Sequence, residues 1–559
     1  MKDYLLKFNL LAVVILFIFS SCSKEKEQKH KILRYNQGDE GLTSLDPAFA
    51  RSKPNIRAVT QLYNGLVELD NDLKVRSCIA KSWTISSDGL VYTFLLNEGV
   101  MFHDHEVFRY GKGREATAED FVYSFKRIID SSIASPGAWI FNDKVSKEKN
   151  GRISDTCFKA NGKYELKIYL EQPFPAFLEI LAMPYAFVVP NEIVTKYAKD
   201  VRVHPVGTGA FKFKQWDEGS TLIFLKNPNY WRKDEYGKLL PYLDAIQVSF
   251  INDKTLAFLT FSQGKLDFLV GIEDNSPELF LEQDGTLKEE FKHRFRFDKS
   301  SYLYTEYLGF QLDTAFYKGK KHPFFDKRVR QALSYAINRE EMIAYLRFNL
   351  GEQGVNGMVP TALPYFVTHK VKGYNHDPQK ALRLLKEAGF EHPNDFPAVK
   401  LYTSSPYKYL AEYLQKQWND LGIKIQIEVN QASTHREMID KGIAHFFRAS
   451  WLGDYPDAEN YLSLFYSKNF TPYGANKCHY SNPKFDALYE NAIKETDYEK
   501  RNAIYYQLDQ MVMDDCPVIV LFYEQIIRLS QPYVKGLEVN AMNTINLERV
   551  DIDYKEVKP

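Results

Sequence analysis

The sequence predicts an α/β protein with mixed sheets, built as two or three domains. Three observations carry this expectation. Helical and extended patterns alternate along most of the chain. One stretch reads as a complete βαβ unit. And about 525 residues follow the N-terminal segment, too many for a single hydrophobic core.

The βαβ unit begins at "FPAVKLYTSS", a strand with Val399 and Leu401 on one side. In "PYKYLAEYLQKQWNDLG", Leu410, Leu414, Trp418 and Leu421 fall on one helical stripe, and Gly422 stands at the C′ position. "IKIQIEV" then alternates as a second strand. A helical crossover between two strands makes them parallel neighbours in one sheet.

Just upstream, "HDPQKALRLLKEAGF" offers Asp377 as N-cap, Pro378 at the first helical position, and Ala381, Leu385 and Ala388 on one face, with Gly389 closing the helix. In "EATAEDFVYSFKRIID", Thr117 precedes Asp120 by three, a capping box with Asp in place of Glu or Gln, and Phe121, Phe125 and Ile128 form the inward stripe. "FDKRVRQALSYAINREEMIAYL" reads as one further helix, with Val329, Leu333 and Ala336 inward. "GLVYTFLLNEGVMF", "KYELKIYLEQPF" and "GSTLIFLKNPNYW" are β-rich. "IAHFFRASWLGDYPDAENYL" reads as a buried strand from Ile443 to Leu452, with Asp454 standing just past its apolar end. Asp457, before Ala458 and Glu459, is the better helix cap in that segment, which leaves Asp454 for another role. There is no tandem repeat and no low-complexity linker beyond the N-terminal tether.

The N-terminus has the layout of a secretory signal. Lys2 and Lys7 form a basic head, Leu10 to Phe19 are apolar, and Ser20 and Ser21 precede Cys22. The apolar run is too short to span a bilayer. Small residues before a cysteine point to lipoprotein processing, with Cys22 the lipidated first residue; an ordinary cleavage site nearby is the alternative. Residues 1–22 are thus assigned to the signal and 23–30 to a polar tether. No later run is long enough for a membrane helix, so the expected product is exported to the cell envelope or periplasm and held at a membrane by its lipid.

Lys plus Arg number 72 and Asp plus Glu number 72, so the chain carries no polyanion-binding field, which argues against nucleic acid as a partner. Cys78, Cys157, Cys478 and Cys516 form no C-x-x-C pair, so zinc-ribbon and thioredoxin-like readings fail. Export permits disulfides, and three full pairings remain open. There is no phosphate-binding loop and no G-x-S-x-G elbow. "GTGAFK" lacks the third glycine of a dinucleotide fingerprint, so Gly207 and Gly209 read as a tight turn entering a strand. His103 and His105 could ligate a metal at a strand edge, but a loop facing water is the plainer reading, as it is for His204 and His479. No nucleophile–base pair or metal cluster can be nominated, so no cofactor is expected and a binding protein is favoured over an enzyme.

Seven segments together resemble one family. They are "LDPAFARSKPNIRAVTQLYNGLVELD", "AKSWTISSDGLVYTFLLNEGVMFHD", "EATAEDFVYSFKRIID", "HPVGTGAFKF", "FFDKRVRQALSYAINRE", "HDPQKALRLLKEAG" and "WLGDYPDAENYL". Their order is that of the bacterial extracellular solute-binding proteins of family 5, which serve peptide and nickel ABC importers. One departure is "FHDHE", where the family usually has Gly after Asp. The resemblance implies a two-lobed periplasmic-binding-protein fold of type II, in its large three-domain form, with a hinge and a ligand cleft between lobes. It places one lobe in residues 31–68, 205–310 and 515–559, an extra domain in 69–204 and the second lobe in 311–514. It implies a monomer that hands a peptide to a permease and ATPase encoded as separate chains.

The resemblance also assigns roles. Asp454 matches the acid that receives a peptide's α-ammonium group, a charge-assisted contact that any free peptide can make. Ser450 and Leu452 would offer backbone groups to an extended ligand. Trp451 would wall the first side-chain pocket, with plain core packing as the alternative. Arg448 matches a position that pairs with the ligand carboxylate in some members; a salt bridge at a domain boundary is its alternative. Arg51 and Ser52 would border the cleft and Trp139 would cover it. A non-peptide solute (a nickel chelate, an oligosaccharide or another amine-bearing compound) is the second reading, and an extracytoplasmic hydrolase the third.

Overall fold

The computed structural model describes residues 30–38, 41–270 and 277–555. The signal segment and the expected lipidation at Cys22 lie outside the described residues. Among those described, no helix is long and apolar enough to cross a membrane.

The βαβ unit forms as the pattern predicts. Strands Val399–Ser404 and Ile425–Asn430 pair in parallel, and helix Lys408–Asp420 between them buries Leu414 and Trp418. Gly422 follows at φ +83°, a conformation that costs glycine least. Asp377 accepts from the Lys380 amide at 2.8 Å and starts helix Pro378–Glu387. Asp120 accepts from the Thr117 amide at 2.8 Å, and helix Ala118–Ile129 buries Phe121, Phe125 and Ile128.

Residues 327–347 depart from expectation. They form two helices, Lys327–Tyr335 and Arg339–Arg347. Asn338 caps the second, accepting from the Glu341 amide at 3.2 Å. Arg339 turns inward and donates to the carbonyls of Ser334, Tyr374 and Val520 at 3.2, 3.1 and 2.7 Å. A buried guanidinium that satisfies carbonyls at the end of one helix, next to an asparagine that starts another, breaks what periodicity alone joins.

A mixed sheet of 11 strands runs through the molecule. At its centre are two long antiparallel strands, Arg296–Phe310 and Val518–Ser530. In one half of the sheet both faces are covered: Val518 and Val520 pack into one core and Ile519 and Leu521 into another. That double burial explains the unbroken apolar run at 518–522. Further along, Ile527 and Leu529 pack with Phe258, Phe261 and Phe295 in a different core. The pairing register slips between Ser301 and Thr305, so the chain changes core within each long strand and not at its ends.

Two more bodies complete the fold. The strands Ile32–Asn36, Ala245–Ser249 and Thr221–Lys226 join helix Lys53–Leu62 around Leu33, Val59, Leu62, Phe224 and Ile246. A separate four-stranded sheet packs with helix Ala118–Ile129 around Phe94, Phe121, Phe125 and Phe177.

Several sequence expectations are corrected here. Gly207 and Gly209 lead by a bend into strand Phe211–Asp217, but neither uses the positive φ that favours glycine. A Cβ on either would overlap the backbone of Leu62, so glycine serves close approach to the end of helix Lys53–Leu62. His103 does not face water. It is 3% exposed, accepts from the Gly207 amide at 3.3 Å and donates through Nε2 to the Gly209 carbonyl at 3.0 Å. Both ring nitrogens are spent on that loop. Nδ1 of His105 accepts from the Val107 amide at 3.2 Å. His479 is also buried, its ring stacked on Phe470. Among the described residues, no three His, Cys, Asp or Glu side chains are grouped to hold a metal. The four cysteines are buried free thiols.

Candidate ligand-binding cavity

A cavity of about 570 Å³ opens where the cores meet. Helix Lys53–Leu62 forms one wall, residues 182–187 a second, the loop 542–546 a third, and Leu452, Gly453 and Asp454 a corner.

That corner is built by one asparagine. The Gly453 amide donates to Leu303 O at 2.8 Å, the last bond to the neighbouring long strand. Asn460, itself 4% exposed, then accepts from the Asp454 amide at 3.1 Å and from Trp451 Nε1 at 2.9 Å. Asp457 accepts from the Glu459 amide at 2.8 Å and so caps the following turn. With the capping done by Asp457, the Asp454 carboxylate faces the cavity. It is both wet and enclosed: its surface is open to the cavity space, while protein packs around the rest of it. Loss of bulk solvation pushes its pKa up to about 6, against the pull of the Asn460 side chain and the Arg51 charge. Tyr185 across the cavity is pushed up to about 12, by burial first and by the Asp454 charge second.

The cavity brings together Asp454, Leu452, Arg51 and Trp139, and leaves out four other expected residues. Trp451 packs against the core under the sheet and holds Asn460, so it positions Asp454 from behind. Arg448 is buried and paired with the carboxylate of Glu306, with its guanidinium 3.2 Å over the Tyr407 ring. The salt bridge, not an open carboxylate receptor, is what the structure contains there. Ser52 is the N-cap of helix Lys53–Leu62, accepting from the Asn55 amide at 3.5 Å. Ser450 lies on the strand outside the cavity lining.

The strand Phe446–Leu452 nevertheless has an open edge. One side pairs with Arg296–Phe310 throughout. On the other side its parallel partner, Val399–Ser404, reaches only Phe447, and His435 Nε2 then takes the Arg448 carbonyl at 2.8 Å. Backbone alternation puts the groups of Ser450 and Leu452 on this same edge, past the end of that partner. Trp139 lies over the corner with its ring 6.2 Å from that of Tyr455, tying the small-sheet body to the Asp454 loop.

Other lining residues carried no local signal. Glu68, the stretch from Glu179 to Tyr185 and the segment 542–546 come from three separate parts of the chain and meet only through the fold.

The model of the bacterial extracellular solute-binding proteins, family 5 Middle, matches residues 74–472. The chain belongs to this family. Glutathione-binding protein GsiB of Pectobacterium atrosepticum is 28% identical over 524 residues, covering 91% of this chain and 92% of that protein. The periplasmic binding protein DppA of Helicobacter pylori, solved with the peptide STSA, superposes with a TM-score of 0.74 at 26% identity over 94% of this chain and 99% of that one. The murein tripeptide binding protein MppA of Escherichia coli shares the fold at a TM-score of 0.71 and 23% identity, over 94% and 99% of the two chains. The fold is therefore the type II, multi-domain binding-protein fold, and the family consists of solute-binding proteins, not enzymes.

Proposed function

We propose that this family 5 protein captures peptides in the cavity and delivers them to the permease of an ABC importer, with ATPase subunits on separate chains supplying the energy. The observation that carries this reading is the Asp454 carboxylate, held by Asn460, relieved of capping by Asp457 and turned into the cavity beside an open strand edge. A free peptide presents a cationic N-terminus whatever its sequence, and a fixed carboxylate meets it with a charge-assisted hydrogen bond. The edge groups of Ser450 and Leu452 then pair with the peptide backbone, which ignores side-chain identity. Arg51 lies close enough to Asp454 to act on its charge, and Trp139 closes the corner from above. We read residues 31–68, 205–310 and 515–559 as one lobe, 311–514 as the other and 69–204 as the extra domain, with the crossing inside the two long strands. Lipidation at Cys22 would anchor this monomer at the periplasmic face of a membrane.

Calorimetry with trialanine and N-acetyl-trialanine tests the substrate class. The expected result is that acetylation weakens binding by about 100-fold, and that Asp454→Asn weakens trialanine binding by a similar factor. Equal affinity for the two peptides overturns the ammonium pocket.

A further inference from the structure

The cavity lining carries four carboxylates, Glu68, Glu179, Asp454 and Glu548, and three cationic side chains, Arg51, Lys53 and Arg57. Glu68, on strand Val67–Leu69, and Glu548 share a single guanidinium, Arg232, at 2.9 and 3.2 Å. Tyr230 adds a neutral donor to Glu548 at 2.7 Å. One cation between two carboxylates leaves one negative charge uncompensated at that end of the cavity.

Glu179 stands in the same lining, on helix Phe177–Leu181, which packs against strand Val67–Leu69. Its Oε2 is buried and accepts no hydrogen bond from any described residue. Buried carboxylate oxygens normally have partners, because an ionised oxygen stripped of water is costly. Loss of solvation first, and the nearby charge of Asp457 second, push its pKa up to about 7, with Arg501 opposing. The cationic lining residues Arg51, Lys53 and Arg57 come from the start and body of helix Lys53–Leu62, a different wall. The cavity is thus polarised: one basic wall, and carboxylates on four separate segments elsewhere. An ammonium group at Asp454 leaves Glu68 and Glu179 unanswered.

Resting on the peptide reading above, we propose that the preferred ligand is a peptide with a second positive charge, a lysine or arginine side chain seated against Glu68 and Glu179 while its N-terminus meets Asp454. A cation there completes the coordination of Glu179 Oε2 and balances the surplus charge around Arg232.

Calorimetry on the intact protein with Ala-Lys-Ala, Ala-Ala-Lys and their Nε-acetyl-lysine counterparts tests this. The acetyl group removes the charge and keeps the chain. At least one lysyl peptide should bind about tenfold more tightly than its acetylated counterpart, and Glu179→Gln should close that gap. Equal affinities in the wild type overturn the proposal without any variant, as does a gap that survives both Glu179→Gln and Glu68→Gln. If trialanine still requires its free amine while lysine confers nothing, only this inference falls. If no peptide binds, the peptide reading falls with it.

Discussion

The division of labour around Asp454 leaves its carboxylate open to the cavity. Asp457 spends its carboxylate on the Glu459 amide, and Asn460 spends its oxygen on Asp454's own backbone and on Trp451. The pair Arg448 and Glu306 consumes itself within the sheet. What remains is a carboxylate that loss of solvation pushes up to about 6, near enough to the Arg51 charge to feel it and near enough to Tyr185 and Tyr461 to help push both phenols upward. Its protonated form is neutral and cannot pair with an ammonium group. A peptide amine stays cationic below about pH 8. Affinity for trialanine should therefore be highest near pH 7, be about halved at pH 6, and fall by up to tenfold per unit below that. Titration calorimetry across pH 4.5–8 reads this directly. The acid limb should be absent in Asp454→Asn, and a flat acid limb in the wild type would show that another group receives the amine.

At the scale of elements, close approach matters as much as pattern. The helix Lys53–Leu62 forms the basic wall of the cavity, and its C-terminal end is pinned by the Gly207–Gly209 loop. The Gly209 amide donates to Leu62 O at 2.9 Å, and His103 grips the loop from the other side. Gly209→Ala places a methyl group into the backbone of Leu62 and should cost about 2–3 kcal/mol, read as a lower urea midpoint. Gly41→Ala, where nothing lies within 4 Å, should leave that midpoint unchanged. Periodicity and capping chemistry made the helices at 118–129, 378–387 and 408–420 legible, because those signals are local. They missed the break at Asn338: its cap on the Glu341 amide is local, but the inward turn of Arg339 beside it depends on the Val520 carbonyl, 181 residues away.

For the whole molecule, the arrangement of two halves around long shared strands decides what binding does. Asp454 hangs from the half containing Phe446–Leu452, and the basic wall belongs to the half containing Lys53–Leu62. On the proposed peptide reading, a ligand that touches both halves draws them together, with the register slip at Ser301–Thr305 as the place where the strands bend. Small-angle scattering should show the radius of gyration, about 24 Å for this length, decreasing by roughly 3% when saturating trialanine is added. An unchanged radius would place the protein in its ligand-bound arrangement before ligand arrives.

By itself the sequence determined the α/β class, the βαβ unit, most helix caps and the family. All of these are written in local order: periodicity, neighbours on a turn, and motifs a few residues long. Only the tertiary structure decided that Arg448 and Ser52 are spent, that Trp451 works from behind, and that Glu68, Glu179 and Tyr185 face the same space as Asp454. Whether a charged side chain is spent or available depends on which distant segment is packed against it. That is set by the folding of three bodies onto one another, and no spacing along the chain encodes it.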